Sequence, residues 1–326
     1  MCTSLTYQSG NRHHFLARTM DFGFELNGLP IFIPRQYEWH ATSNTTRKTR
    51  FGFIGTGRNL DGYLLADGVN EQGLAVAELY FLDEAKYNES REEKLNISPH
   101  GFIMWLLGEI SSVEELKKRI FEINIINEEN SLLSLVLPLH YIVTDRTGMT
   151  VVVETNTGEI ELKENPVGVM TNSPELEWHL KNLNNYLSMR PTNFKGKKIG
   201  AYSIKPFGQG SGTFGMPGGL TSPERFVRTG YYRQFTQAGK TTDEAVSAIF
   251  HILNSVTIPK GVNIKNDGSI DYTQYRSILD VDELTYYFNP YTTEQVYSVK
   301  LDDALLSSEK PIEFTVDTEF TSVQLN

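Results

Sequence analysis

Residues 1–22 read MCTSLTYQSGNRHHFLARTMDF, and the fold turns on them. Two β-type runs, CTSLTYQ and HHFLARTMDF, are joined by the short connection QSGNR, which predicts an antiparallel hairpin. Cys2 is the single cysteine of the 326-residue protein. A lone cysteine is ordinarily a small buried hydrophobe. Its position says more, because Met1 is expected to be removed when the next side chain is small. Cys2 would then carry a free α-amine beside its thiol. An α-amine titrates at about 7.7–8.0, close to working pH, so it can act as general base to a nucleophile on the same residue. N-terminal threonine is activated in that way.

The hairpin also brings in Arg18 and Asp21, three residues apart near the end of its second strand. An ordinary surface ion pair between them would contribute at most about 1 kcal/mol. If their strand lies beside the N-terminal one, Asp21 can orient the Cys2 amine and Arg18 can favour the thiolate. Further along, GVMTNSPELEWH places Asn172 where a strand ends and a helix begins. There it is either a turn or N-cap residue or an amide donor to a developing oxyanion. SPERFVR puts Arg225 and Arg228 on one helix face. Arginine in a first turn opposes the helix dipole, so something other than helix stability is expected to keep Arg225 there.

Other motifs are set aside. Gly210–Gly215 matches GxGxxG, but no βαβ unit surrounds it and MPGG follows it, so dinucleotide binding is not expected. The seven histidines include no HExxH spacing, and each is read as structural. One cysteine excludes a disulfide framework and a Cys-based zinc site, and no metal or cofactor is expected.

The bulk composition is ordinary for a globular protein, with 39% hydrophobic and 21% charged residues. A formal charge of -10 argues against nucleic acid, and the cluster NFKGKKIG reads as a solvated loop. No apolar run is long enough to span a membrane and no secretory h-region opens the sequence, so a cytoplasmic location is expected.

Blocks of strands alternate with blocks of helices. CTSLTYQ, HHFLARTMDF, LPIFIP, FGFIG, GYLLAD and LAVAELYF read as strands; HGFIMWLLGEI and VEELKKRIFEI read as helices, the second opened by a Ser112–Glu115 capping box. Strands return in LHYIVTD, TVVVET, EIELKE and GVMTN. Helices follow in ELEWHLKNLNNYL, ERFVRTGYYRQFTQ and DEAVSAIFHILNSV, the last opened by a Thr241–Glu244 box, and the C-terminal part is again β. The pattern predicts an α+β layered protein with mainly antiparallel sheets, as one domain over residues 1–326.

MCTSLTY, LARTMDF, ADGVNEQGL, GVMTNSPELEWHLKNLNNY and PFGQGSGTFGMPGGLTSPERFVR occur in an order that resembles the choloylglycine hydrolase family, from residue 2 to nearly the C-terminus. These are the conjugated bile salt hydrolases and penicillin V acylases, N-terminal-nucleophile (Ntn) amidases. The resemblance implies a four-layer αββα sandwich and a homotetramer. It also implies Cys2 as nucleophile, Asp21 positioning its amine, Arg18 near the sulfur, Asn172 at the oxyanion and Arg225 as the active-site arginine.

The amide that is cut is less fixed. Bile salt hydrolases typically carry asparagine where this sequence has Tyr80, in ELYF, and tyrosine there resembles penicillin V acylases. Penicillin V is therefore the first expected substrate, giving phenoxyacetate and 6-aminopenicillanate. Conjugated bile salts are the alternative, N-acyl-homoserine lactones a lesser one, and a non-catalytic member keeping the fold a different class. Met20, Leu26 and Tyr80 are candidate substrate contacts, as are Leu132, Leu133 and Leu135 from SLLSLVLPLH.

Overall fold

A computed structural model describes residues 1–60, 62–130 and 133–326. The strands Cys2–Gln8 and His14–Phe22 form the expected hairpin, with Cys2 opposite Met20 and Ser4 opposite Arg18. They sit in a six-stranded antiparallel sheet, flanked by Val169–Met170 on one side and Tyr272–Asp280 on the other. An eight-stranded antiparallel sheet holds, among others, Leu139–Thr144, Ala75–Tyr80, Tyr63–Asn70 and Phe53–Asn59 as central neighbours.

Leu16, Leu279 and Tyr286 from the first sheet and Ala75, Ala77 and Leu79 from the second belong to one buried cluster on the faces that turn toward each other, where Tyr286 and Asp67 hydrogen-bond across the gap. Helices Ser222–Phe235 and Thr242–Asn254 cover the six-stranded sheet through Phe226, Ile249 and Leu253. Helix Pro99–Glu109 covers the opposite face of the eight-stranded sheet, packing Phe102, Trp105 and Leu106 against Val76, Tyr141 and Val143. The layers run α, β, β, α. Central strands are covered on both faces, which is why His14–Phe22 is buried from Phe15 to Asp21 without alternation.

The helix starts are set by local chemistry. Ser98 caps Pro99–Glu109 by accepting from the Gly101 N–H. Ser112 and Thr241 accept from the N–H groups of Glu115 and Glu244. The glutamates reach one residue further back than a simple capping box predicts, accepting from Ser111 N–H (2.8 Å) and Lys240 N–H (2.7 Å). The cluster NFKGKKIG is not a plain loop. Lys197–Ile199 pairs with Tyr202–Ile204 as an exposed hairpin turning at Gly200, φ 59°. The segment Gly210–Gly215 is an exposed loop with one 3₁₀ turn.

Candidate active site

Cys2 opens the hairpin's first strand, and its side chain is buried. Arg18, two strand positions before Met20, is fully buried and extends to the sulfur, with Nη2 donating to Cys2 Sγ at 3.0 Å and to Met20 Sδ at 3.3 Å. Its other terminal nitrogen lies where Tyr63–Asn70 and Ala75–Tyr80 separate beyond the Asp67–Ala77 pair, donating to Ala66 C=O (2.7 Å) and Glu78 C=O (3.0 Å). Burial works against the Arg18 charge, but the Cys2 sulfur, Tyr275, Asp67 and Glu78 outweigh it and raise its pKa. A buried cation at hydrogen-bond distance favours negative charge on sulfur. The sequence's ordinary alternative, a surface ion pair with Asp21, is excluded because both residues are fully buried and the guanidinium points to Cys2.

Asp21 is clamped by two hydroxyls, Thr19 (3.0 Å) and Thr273 (2.6 Å). Burial raises its pKa, opposed by Arg225, the N-terminal amine and the two threonines. With Met1 in place, the terminal amine donates to the Asp21 C=O at 2.6 Å, and the Cys2 N–H donates to Asn172 Oδ1 at 2.9 Å. Asn172 Nδ2 donates to Tyr80 C=O at 2.7 Å. Arg225 Nη2 donates to Asn172 Oδ1 at 2.6 Å, and Nη1 to Thr3 Oγ1 at 2.7 Å and to the Cys2 C=O. Those bonds supply the reason for an arginine in an unfavourable first turn. Arg228 instead ties Pro217, Gly219 and Ser255 carbonyls together, away from Cys2.

The sulfur faces a largely apolar cavity. Met20, Leu26, Tyr80 and Leu133 line it, together with Phe22, Leu65 and Leu139. Leu135 is 37% exposed and does not line this cavity, because the segment after Leu133 turns through Ser134 at φ 49°. Leu132 lies outside the described residues. The Tyr80 ring is half-buried and meets Phe22 edge-on, centroids 5.5 Å apart.

Sequence reasoning missed the groups behind Asn172. Ser222 Oγ accepts from Asn172 N–H (2.9 Å) and donates to its C=O (2.8 Å). His179 Nε2 lies 3.0 Å from the same C=O, and His140 Nε2 lies 2.9 Å from Thr171 C=O. His140 is in turn 3.4 Å from the buried Glu154. The available signal was that His179 sits seven residues beyond Asn172 in the same motif.

This constellation sits on an Ntn-type αββα sandwich. The profile of the linear amide C–N hydrolases, choloylglycine hydrolase family, matches residues 2–314, and the protein belongs to that family. A bile salt hydrolase/transferase from Lactiplantibacillus plantarum is 34% identical over 323 residues, 98% of this chain and 98% of that one. The fold superposes on the C2A variant of conjugated bile acid hydrolase from Clostridium perfringens with TM-score 0.92, 31% identity and 100% coverage of both chains. Penicillin V acylases stand further off. That of Pectobacterium atrosepticum is 23% identical, covering 72% of this chain and 61% of its own. The structure of the Agrobacterium tumefaciens enzyme, 22% identical with TM-score 0.76 over 95% of this chain and 89% of that one, shares the fold. Over its length the chain is thus more similar to these bile salt hydrolases than to these penicillin V acylases, against the likeness read from Tyr80 alone.

Proposed function

We propose that this amide hydrolase cleaves conjugated bile salts, releasing the amino acid from the steroid acid, with Cys2 as nucleophile. The observation that carries the reading is the convergence of Arg18, Asn172 and Arg225 on Cys2 at the mouth of an apolar cavity. The greater likeness to bile salt hydrolases supports the substrate.

Removal of Met1 frees the Cys2 amine, which takes the thiol proton while sulfur attacks the amide carbonyl. A sulfur–carbon bond forms, with Arg18 beside the sulfur offsetting its negative charge as the proton leaves. The oxyanion is met by Asn172 Nδ2, whose second hydrogen is not used by Tyr80 C=O. The Tyr80 N–H is a second candidate donor. Phe81 N–H bonds Pro138 C=O, so Tyr80 and Leu139 form a non-hydrogen-bonded pair and the Tyr80 backbone faces away from Leu139–Thr144. The carbon–nitrogen bond then breaks as the amine proton passes to the leaving nitrogen. Water, deprotonated by the same amine, hydrolyses the thioester. Asp21, held by Thr19 and Thr273, orients the amine.

A second reading, penicillin V acylase, rests on the Tyr80 ring in the cavity wall, where it can stack on a phenoxymethyl group for about 0.5–1.5 kcal/mol. Comparison of kcat/KM on glycine- and taurine-conjugated bile salts and on penicillin V separates the two. Bile salts are expected to lead by at least about tenfold, a difference of about 1.4 kcal/mol in transition-state binding. A lead for penicillin V that collapses in Tyr80→Asn would replace the first reading with the second. Cys2→Ser should depress both activities, and full activity in protein whose intact mass retains Met1 would exclude the amine as base.

A further inference from the structure

Glu78 is an ionisable residue buried without a salt-bridge partner among the described residues. It lies in the wall of the cavity that holds the Cys2 sulfur and is 7% exposed. Strand alternation along Ala75–Tyr80 puts its side chain on the same sheet face as the Tyr80 ring. Its Oε2 has no hydrogen-bond partner, and among the described residues no cation forms a salt bridge with it. The other buried polar side chains of the wall are engaged. Arg18 binds the Cys2 sulfur and two carbonyls, Thr56 Oγ1 bonds Tyr286, and Tyr275 donates to Asp67 at 2.8 Å. Arg18 hydrogen-bonds Glu78 only at the glutamate's backbone carbonyl.

We propose that Glu78 determines acyl specificity, presenting its carboxyl to an oxygen atom carried within the otherwise apolar body of the acyl group. This rests on the reading that the cavity takes the acyl side of the amide. Burial raises the carboxyl's pKa well above its ordinary range, opposed by Arg18 and reinforced by Asp67. A neutral carboxylic acid has one O–H to donate as well as oxygens that accept. A ring hydroxyl of a steroid acid satisfies both sides of it, and an aryl ether oxygen accepts from it. A plain hydrocarbon leaves it unpaired in a desolvated site, the arrangement by which binding sites reject analogues lacking a polar group.

The test uses two matched substrate pairs on the full-length processed enzyme. One pair is glycine conjugates of steroid acids differing only in the number of ring hydroxyls. The other is phenoxyacetyl and 3-phenylpropanoyl amides of one amine, in which a methylene replaces the ether oxygen. On any pair the wild type cleaves, the oxygen-bearing member is expected to have the higher kcat/KM. Glu78→Leu should shrink that ratio about ten- to hundredfold, the effect of one buried donor left unpaired. Glu78→Gln, which keeps a donor, should retain most of it. An equal ratio in wild type and folded Glu78→Leu would overturn the proposal, and so would a wild type without preference in both pairs. Cleavage of the phenoxyacetyl pair alone, with the preference intact, would overturn the bile-salt reading and uphold this one.

Discussion

His179 shows how single side chains are tuned around Asn172. Its ring stacks on Phe226 with centroids 4.6 Å apart, and its Nδ1 is buried without a partner. Burial pushes its pKa down to about 4, with Arg225 and His140 adding in the same direction and the Asn172 C=O opposing. The imidazole is therefore neutral at working pH, donating through Nε2 to the Asn172 carbonyl. The unfolded state takes up the proton near the ordinary value of 6.5 and the folded state only near 4. Stability from this residue is then complete above pH 6.5 and is lost progressively as pH falls toward 4. Its full size is about 3 kcal/mol, from about 1.4 kcal/mol per pKa unit. Chemical denaturation of wild type and His179→Gln between pH 7 and 4 should show a stability difference that narrows on acidification. A constant difference would mean that His179 is not held neutral. None of this was legible in the sequence, because a histidine's burial depends on Ser222 and Phe226, 43 and 47 residues further along.

At the level of elements, helix Ser222–Phe235 delivers two groups to the site from one turn. Ser222, its first residue, spends its hydroxyl on the Asn172 backbone, and Arg225, one turn later, reaches the Asn172 side chain and the Cys2 carbonyl. Helix geometry makes the pair possible, since residues three apart lie on one face. Ser222→Ala should leave the helix intact, because the N-cap position belongs to Thr221. It should cost about 1 kcal/mol of stability through lost hydrogen bonds. It should also lower kcat about tenfold with little change in KM, the pattern of a group acting on transition-state geometry. A change confined to KM would assign Ser222 to substrate binding. The apolar strands, the helix caps and the hairpin joining Cys2 to Arg18 were legible, because periodicity and turn residues act locally. The hairpins Glu38–Lys48 and Lys197–Ile204 were not, because Thr45–Lys48 is polar throughout, the alternation of Trp39 and Ala41 in Glu38–Thr42 spans only five residues, and the three-residue strands of the second hairpin bury no face. Leu135 failed as a pocket residue for a related reason, since a leucine-rich run does not specify which side faces the cavity.

For the whole molecule, the four layers leave some segments outside the packed body, among them residues 317–326 and the stretch before helix Ser222–Phe235. Between Tyr186 and Ser222 the backbone runs through the exposed hairpin and the glycine-rich loop, and it presents Ile199, Tyr202, Phe207 and Phe214 at 63% exposure or more. Exposed aromatics gathered in one excursion mark a surface that meets another surface. We propose that the partner is a second copy of the same protein, in line with the homotetramer that the family resemblance implies. Lys195, Lys197 and Lys198 make this segment locally basic within a protein of net charge -10, so it can meet an acidic surface of another copy. Light scattering should therefore give a solution mass of four subunits for the processed wild type. Replacing Tyr202 and Phe207 together by serine should shift that mass toward dimers or monomers, with the helical and sheet content unchanged by circular dichroism. A wild-type monomer at micromolar concentration, or a double variant that stays tetrameric, would place the subunit contacts elsewhere on the sandwich.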